Sequence, residues 1–362
     1  MPFRLPQFRL PRSKPGLRHA GDLTRGFTLL EVLAAAALLL LILAMTGAVV
    51  NSSSNVWRQA NAKIETFQKA REVFEVMTGH LAKATLNTYW DYYDANFTAF
   101  SSANPAAVSN FDPKYYGRNS DLHFQCGRAS KLLPQLPANL QETSTHAVFF
   151  VSPTGLAADP SHSGLSGLLS ACGYFVAFGD DSAYKPGIVP TPPRHRWRLM
   201  EVTEPVEDLK VFSASGSSWF QNAVAQGRVR PVAENVIALI AWPRLPPQDD
   251  PDGTRISADY TYDSRTQAAW QGAPPRQPVQ AHQLPPNLQV TLVALDEVSA
   301  GRLENGDTPP EEITAALAGL FEDVSKYEED LNTLKTRLAD KHIGFRIFSA
   351  ILSLKESKWT ES

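Results

Sequence analysis

Cysteine is scarce in this chain: 362 residues carry two, Cys126 and Cys172. That excludes a small scaffold framed by disulfides, and no CxxC or Cys/His spacing offers a metal site. The eight histidines are scattered, with no HxxxH and no His/carboxylate grouping. A GxSxG nucleophile turn is missing too. The nearest stretch, "SGLSGLLS" (Ser163–Ser170), has no strand running into it and reads as a loop. "GDD" (Gly179–Asp181) follows a strand and reads as a strand-end turn rather than a working carboxylate pair. The chain is therefore not expected to be an enzyme. Charge of one sign is also lacking: 34 Lys and Arg stand against 37 Asp and Glu, a net charge of −3, so nucleic acid is not an expected partner. "RHRWR" (Arg194–Arg198) is the one basic and aromatic stretch, and a strand's solvated face explains it more simply. No cofactor is expected. Asp249, Asp250 and Asp252 in "QDDPDGT" are the weak exception, since calcium takes clustered oxygens. Their spacing is not that of an EF-hand, and a solvated turn is the simpler origin.

The two cysteines leave two readings open. In an oxidising compartment Cys126 and Cys172 can pair, and closing that loop would stabilise the fold by roughly 4 kcal/mol in the chain-entropy model. Alternatively both are buried free thiols in strands.

What the chain does have is one long apolar run, "TRGFTLLEVLAAAALLLLILAMTGAVV" (Thr24–Val50), with a single carboxylate, Glu31, near its start. As a helix, residues 27–50 would span roughly 36 Å, enough for a bilayer's hydrocarbon core. An ionisable group inside such a segment costs about 2.5–3.5 kcal/mol on insertion scales, so Glu31 calls for a partner. Before Phe27 stand Arg4, Arg9, Arg12, Lys14, Arg18 and Arg25 against the single acid Asp22. A basic flank marks the cytoplasmic side and sends everything after Val50 across the membrane. A secretory signal peptide fits poorly, because the run is too long and no Ala-x-Ala site follows it. The small residue that looks cleavable, Gly26, precedes the run.

Four regions follow: a basic leader (1–26), the membrane half of a long helix (27–50), an amphipathic half (51–95) and a β-rich globular domain (96–362). In the amphipathic half Trp57, Ile64, Phe67, Phe74, Met77 and Leu81 fall near one face. Tyr89, Trp90, Tyr92 and Tyr93 cluster where that helix is expected to end. Core packing under the sheet is the first reading for them and a partner surface the second. Strands are predicted over 121–126, 146–152, 172–179, 196–202, 234–243, 257–263, 288–296 and 345–354. The punctuation favours an antiparallel sheet, and with the long helix first the class is α+β. A further helix is predicted over about 309–341, its first turn carrying Glu311 and Glu312. Ile313, Leu317, Leu320, Val324, Tyr327, Leu331, Leu334 and Leu338 form a heptad seam along it. The seam either lies on the chain's own sheet, the simpler reading, or meets a helix of another subunit.

"Gly26-Phe27-Thr28-Leu29-Leu30-Glu31" with its apolar run and basic leader resembles the class III signal of type IV pilins and type II secretion pseudopilins. The resemblance implies cleavage between Gly26 and Phe27 by a prepilin peptidase and N-methylation of the new Phe27 amine. Phe27 and Glu31 are one turn apart, and when such helices pack with a stagger one chain's amine can meet another chain's Glu31. The resemblance also implies a pilin-like fold and a structural, non-enzymatic role. The chain's length suits a large minor pseudopilin of the J type, at or near the tip of a pseudopilus or pilus. Expected partners are other pilin-like subunits, the peptidase, an inner-membrane assembly platform and membrane lipid. The expected location is the inner membrane, single-pass, with the N-terminus cytoplasmic and the C-terminal domain periplasmic. "LNTYWDYYD", "ACGYFVAFG", "AENVIALIAWPRL", "VTLVALDEVSAGRL" and "FRIFSAILSLKESKW" are similar to the prepilin-like Verru_Chthon cassette protein C family. The competing expectation is a membrane-anchored periplasmic binding or enzymatic domain that uses the helix as a tether. A third, a DNA-uptake minor pilin, would need an exposed basic and aromatic patch.

Overall fold

A computed structural model of the chain describes residues 28–102, 110–162, 164–188, 190–213, 216–266, 268–304 and 306–360. The chain divides into two compact units, one up to Trp57 and one from Arg58 onward. The elements in order are α1 (Leu29–Leu81), β1 (Tyr89–Tyr93), β2 (Tyr115–Asn119), β3 (Gln125–Arg128), α2 (Ala129–Leu132), β4 (Leu140–Pro153), β5 (Leu169–Gly179) and β6 (Arg196–Glu204). They continue with α3 (Ser218–Ala225), β7 (Val229–Glu234), β8 (Val236–Arg244), β9 (Tyr262–Asp263), β10 (Asn287–Leu295), α4 (Glu297–Leu303), α5 (Glu311–Leu317), α6 (Tyr327–Asp340) and β11 (Phe345–Ser353). The class is α+β: a long N-terminal helix whose apolar half comes first, antiparallel sheets, and C-terminal helices, an arrangement consistent with a pilin-like fold.

In the unit from Arg58, three antiparallel sheets form. Six strands run in the order β7-β6-β5-β4-β3-β9, three in the order β11-β10-β8, and β1 pairs with β2. Every residue of β8 and β10 is buried, as is nearly all of β5, so both faces of these strands are covered, and their sequences are largely apolar rather than alternating. The two larger sheets meet where β4 bulges between Ser144 and Ala147. There Ser144 donates to the Ile237 carbonyl at 2.6 Å, and the Thr145 hydroxyl bridges the carbonyl and amide of Leu239. The bulge re-aims two side chains onto a neighbouring strand's backbone, as such insertions do.

The globular part of α1 buries Phe67, Ala70, Phe74, Met77 and Leu81, a stripe at alternating spacings of three and four. Phe74 meets Phe348 of β11 with ring centres 6.0 Å apart. Each large side chain buried here contributes about 1.5–3 kcal/mol. Two residues expected in the stripe are not in it: Trp57 is 70% exposed and Ile64 55%. The helix also stops at Leu81 rather than near residue 95. Thr85 donates to the Val151 carbonyl, Asn87 takes a positive φ of 42°, and the β-prone run that follows becomes β1, paired with β2 along its whole length.

The predicted helix over 309–341 is two helices, α5 and α6. Gly319 (φ 71°) and Phe321 (φ 55°) break it, and the Phe321 amide donates to Asp330 at 2.7 Å. Arg337 of α6 then reaches back to the carbonyls of Ala315, Ala316 and Ala318, satisfying α5's open C-terminal end. Every seam residue is buried except Leu317, which is half-buried, so the seam faces the chain's own core. Three strands have no sequence-predicted counterpart: β1, β2 and most of β7. The strand expected over 257–263 shortens to Tyr262–Asp263.

Candidate assembly site

Gly26 and Phe27 lie outside the described residues. The next residue, Thr28, caps α1. Its amide and its hydroxyl both donate to Glu31 Oε2 at 3.0 Å, and the Glu31 amide donates back to the Thr28 hydroxyl at 3.3 Å. This is a reciprocal capping box: the side chain of the first residue and that of the third helical residue satisfy backbone donors that no helical carbonyl can reach. Thr28 was not singled out in the sequence reading. The signal that finds it is Thr-x-x-Glu directly before an apolar run. Oε1 of Glu31 makes no hydrogen bond among the described residues.

The side chains from Leu29 to Val50 are exposed, including Leu38 to Leu43 without a break. The segment is long and apolar enough to cross a membrane, at about 33 Å. The one hydroxyl within its second half, Thr46, donates to the Ile42 carbonyl one turn back and so is satisfied inside the helix. An apolar surface of this size is costly to leave in water.

The remaining candidates are taken up by the fold. Cys126 and Cys172 are both buried and free in the structure. Cys126 sits opposite Val148 and Cys172 opposite Phe150, so a whole strand, β4, lies between them. Two strand spacings amount to about 9.6 Å, beyond the reach of a disulfide. Burial pushes the Cys172 thiol up to about 12 and Cys126 higher still. The Asp249–Asp252 stretch does not gather as a cation site: among the described residues no group of three or more His, Cys, Asp or Glu could hold a metal. The buried Asp250 carboxylate instead accepts from the Arg255 amide at 3.0 Å and ties its own turn. "RHRWR" is no basic surface. Arg196 is 4% exposed and bonds Glu297 at 2.7 Å and Glu304 at 3.0 Å, while Arg198 is held by Glu234 and the Gly179 carbonyl. Asp181 of "GDD" pairs with Lys185 at 2.9 Å. The aromatic cluster divides: Tyr93 is buried and donates to the Arg118 carbonyl, whereas Trp90 and Tyr92 are more than half exposed on β1 beside Tyr116.

One polar cleft was missed by the sequence reading. It has a volume of about 570 Å³ and lies at the β6–β7 edge, lined by His80, Glu201, Glu204, Arg228 and Arg230 among others. Tyr174 donates to Glu201 at 2.7 Å, and Arg228 pairs with Glu204 at 3.0 Å. Desolvation raises the Glu204 carboxyl and pulls the His80 imidazole below its ordinary range. No sequence spacing announces it, because its residues come from four separate segments.

These features define a class: an α+β protein with one N-terminal helix able to enter a membrane, capped by a carboxylate. No protein-family model matches the chain, and no solved structure matches it. Among curated proteins it is similar to the pilin-like protein PilA3 of Thermus thermophilus, with 36% identity over 90 residues. That similarity covers 25% of this chain and 38% of the Thermus protein.

Proposed function

We propose that this chain is a structural, non-enzymatic subunit of a type IV pilus-like or type II secretion pseudopilus-like assembly, and a minor one placed at or near its tip. The observation that carries the reading is a carboxylate at the head of a lipid-length, uncovered apolar helix in a chain that continues into a β-rich domain. The similarity to a pilin-like protein supports it. In this reading a prepilin peptidase cuts between Gly26 and Phe27, the Phe27 amine is methylated, and the helix rests in the inner membrane with the globular domain in the periplasm. An assembly platform then moves the subunit from lipid into a bundle of neighbouring pilin-like helices. There Glu31 meets a neighbour's amine and fixes the stagger, because a buried ion pair costs far less than either charge alone. Kinship with the Verru_Chthon cassette protein C family is the finer form of the same proposal.

A membrane-tethered periplasmic domain is the second reading, and one observation favours it: Thr28 already satisfies one oxygen of Glu31 within the same helix. Glu31→Gln separates the two. A glutamine keeps the capping box and removes the charge. The assembly reading predicts that Glu31→Gln and Glu31→Ala both lose inter-subunit crosslinks in the producing cell's membranes, with anchored protein at wild-type level. Crosslinking of Glu31→Gln at wild-type yield would overturn it in favour of the tether.

A further inference from the structure

Strand β11 ends its sheet. It pairs with β10 along nine residues without a register shift, and among the described residues no strand or bridge occupies its other side. Alternate backbone N–H and C=O groups along that row therefore point outward. Long edges are ordinarily blunted by proline, lysine, a bulge or brevity. The six-stranded sheet shows those devices at both ends: β7 carries Pro231 and a register shift beside Met200, and β9 has two residues. β11 has no proline, no lysine and no bulge over its nine residues, and its one charge is Arg346.

Beside the first half of β11 lies a groove of about 830 Å³, between Arg346–Ser349 and the α1 face from Lys63 to Glu75. Phe67, Phe74 and Phe348 line it, and Ile64 stands 55% exposed at its wall. The helical wall spans about 18 Å, the length of about five extended residues. The rim carries Lys63, Arg71 and Arg346 against Glu75. Lys63 is paired with Asp296 at 3.0 Å and Arg71 with Glu75 at 2.8 Å. Arg346 makes no ion pair among the described residues, and its guanidinium lies 5.9 Å from the centre of the Phe67 ring.

The geometry points to β11 and this groove as the docking site for an extended segment of a partner polypeptide, about five residues long, apolar at alternate positions and carrying a carboxylate opposite Arg346. Added as a strand, the segment completes the outward hydrogen bonds of β11. Its apolar side chains cover Ile64, Phe67 and Phe348, and its acid gives Arg346 a bidentate partner. A lipid headgroup could meet the arginine but offers no row of backbone donors and acceptors to the strand. The inference does not depend on the assembly reading and holds equally for a tethered domain.

The test uses the full-length protein in detergent micelles and a blocked hexapeptide of alternating valine and threonine with one glutamate. Saturable binding is expected, with slowed amide exchange confined to residues 345–353. Arg346→Glu, an exposed change checked for folding by near-UV circular dichroism, is expected to weaken binding at least tenfold. It should restore binding to the peptide whose glutamate is replaced by lysine. Absence of saturable binding at millimolar peptide, binding that leaves β11 exchange unchanged, or equal affinity for Arg346→Glu would each overturn the proposal. So would protection of β11 by anionic lipid without peptide.

Discussion

Glu31 shows how one side chain serves two physical demands. Its charge is costly in lipid, and its position three residues after Thr28 makes it a helix cap. Both demands are legible in Thr-x-x-Glu before an apolar run. The cysteines were legible only as a choice. Whether two thiols meet depends on strand register, and the intervening β4 was visible as a strand without its pairing. Both thiols are buried and pushed above their ordinary range, so thiolate is scarce at neutral pH. Native protein should react with a thiol-specific chromogenic reagent at well under a tenth of the rate seen in urea, where two thiols per chain should titrate. A count of zero in urea without reductant would mean a disulfide and contradict the register.

At the scale of elements, long periodic segments were readable and their interruptions were not. The seam from Ile313 to Leu338 predicted the buried face correctly, because apolar spacing survives a helix break that keeps the same side inward. What it could not report is the positive φ at Gly319 and Phe321, or that Arg337 would cap the helix before it. Likewise α1 yields to β1 after Leu81 because aromatic and β-branched residues from Thr85 onward find strand partners in β4 and β2, a tertiary gain invisible locally. The Arg337 cap has a measurable consequence. Arg337→Ala leaves the carbonyls of Ala315, Ala316 and the C-cap Ala318 without this donor and should destabilise the fold by about 1–2 kcal/mol. Amide exchange over 311–318 should rise ahead of that over 327–340. Equal exchange in both helices would show that the arginine is not what holds α5.

For the whole molecule, hydropathy marks the lipid-length apolar run and strand punctuation marks the β-rich region, since burial selects both patterns. The missed polar cleft and the open β11 edge belong to this scale as well, because both arise only when separate segments are folded together. The proposed function rests on prepilin processing at Gly26–Phe27. Its most direct test is the intact mass and N-terminal sequence of protein made with and without a prepilin peptidase. Processing of this kind yields a chain beginning at N-methylated Phe27 only when the peptidase is present. A chain left whole, or cut after Val50, would contradict it and leave a tethered or released domain in its place.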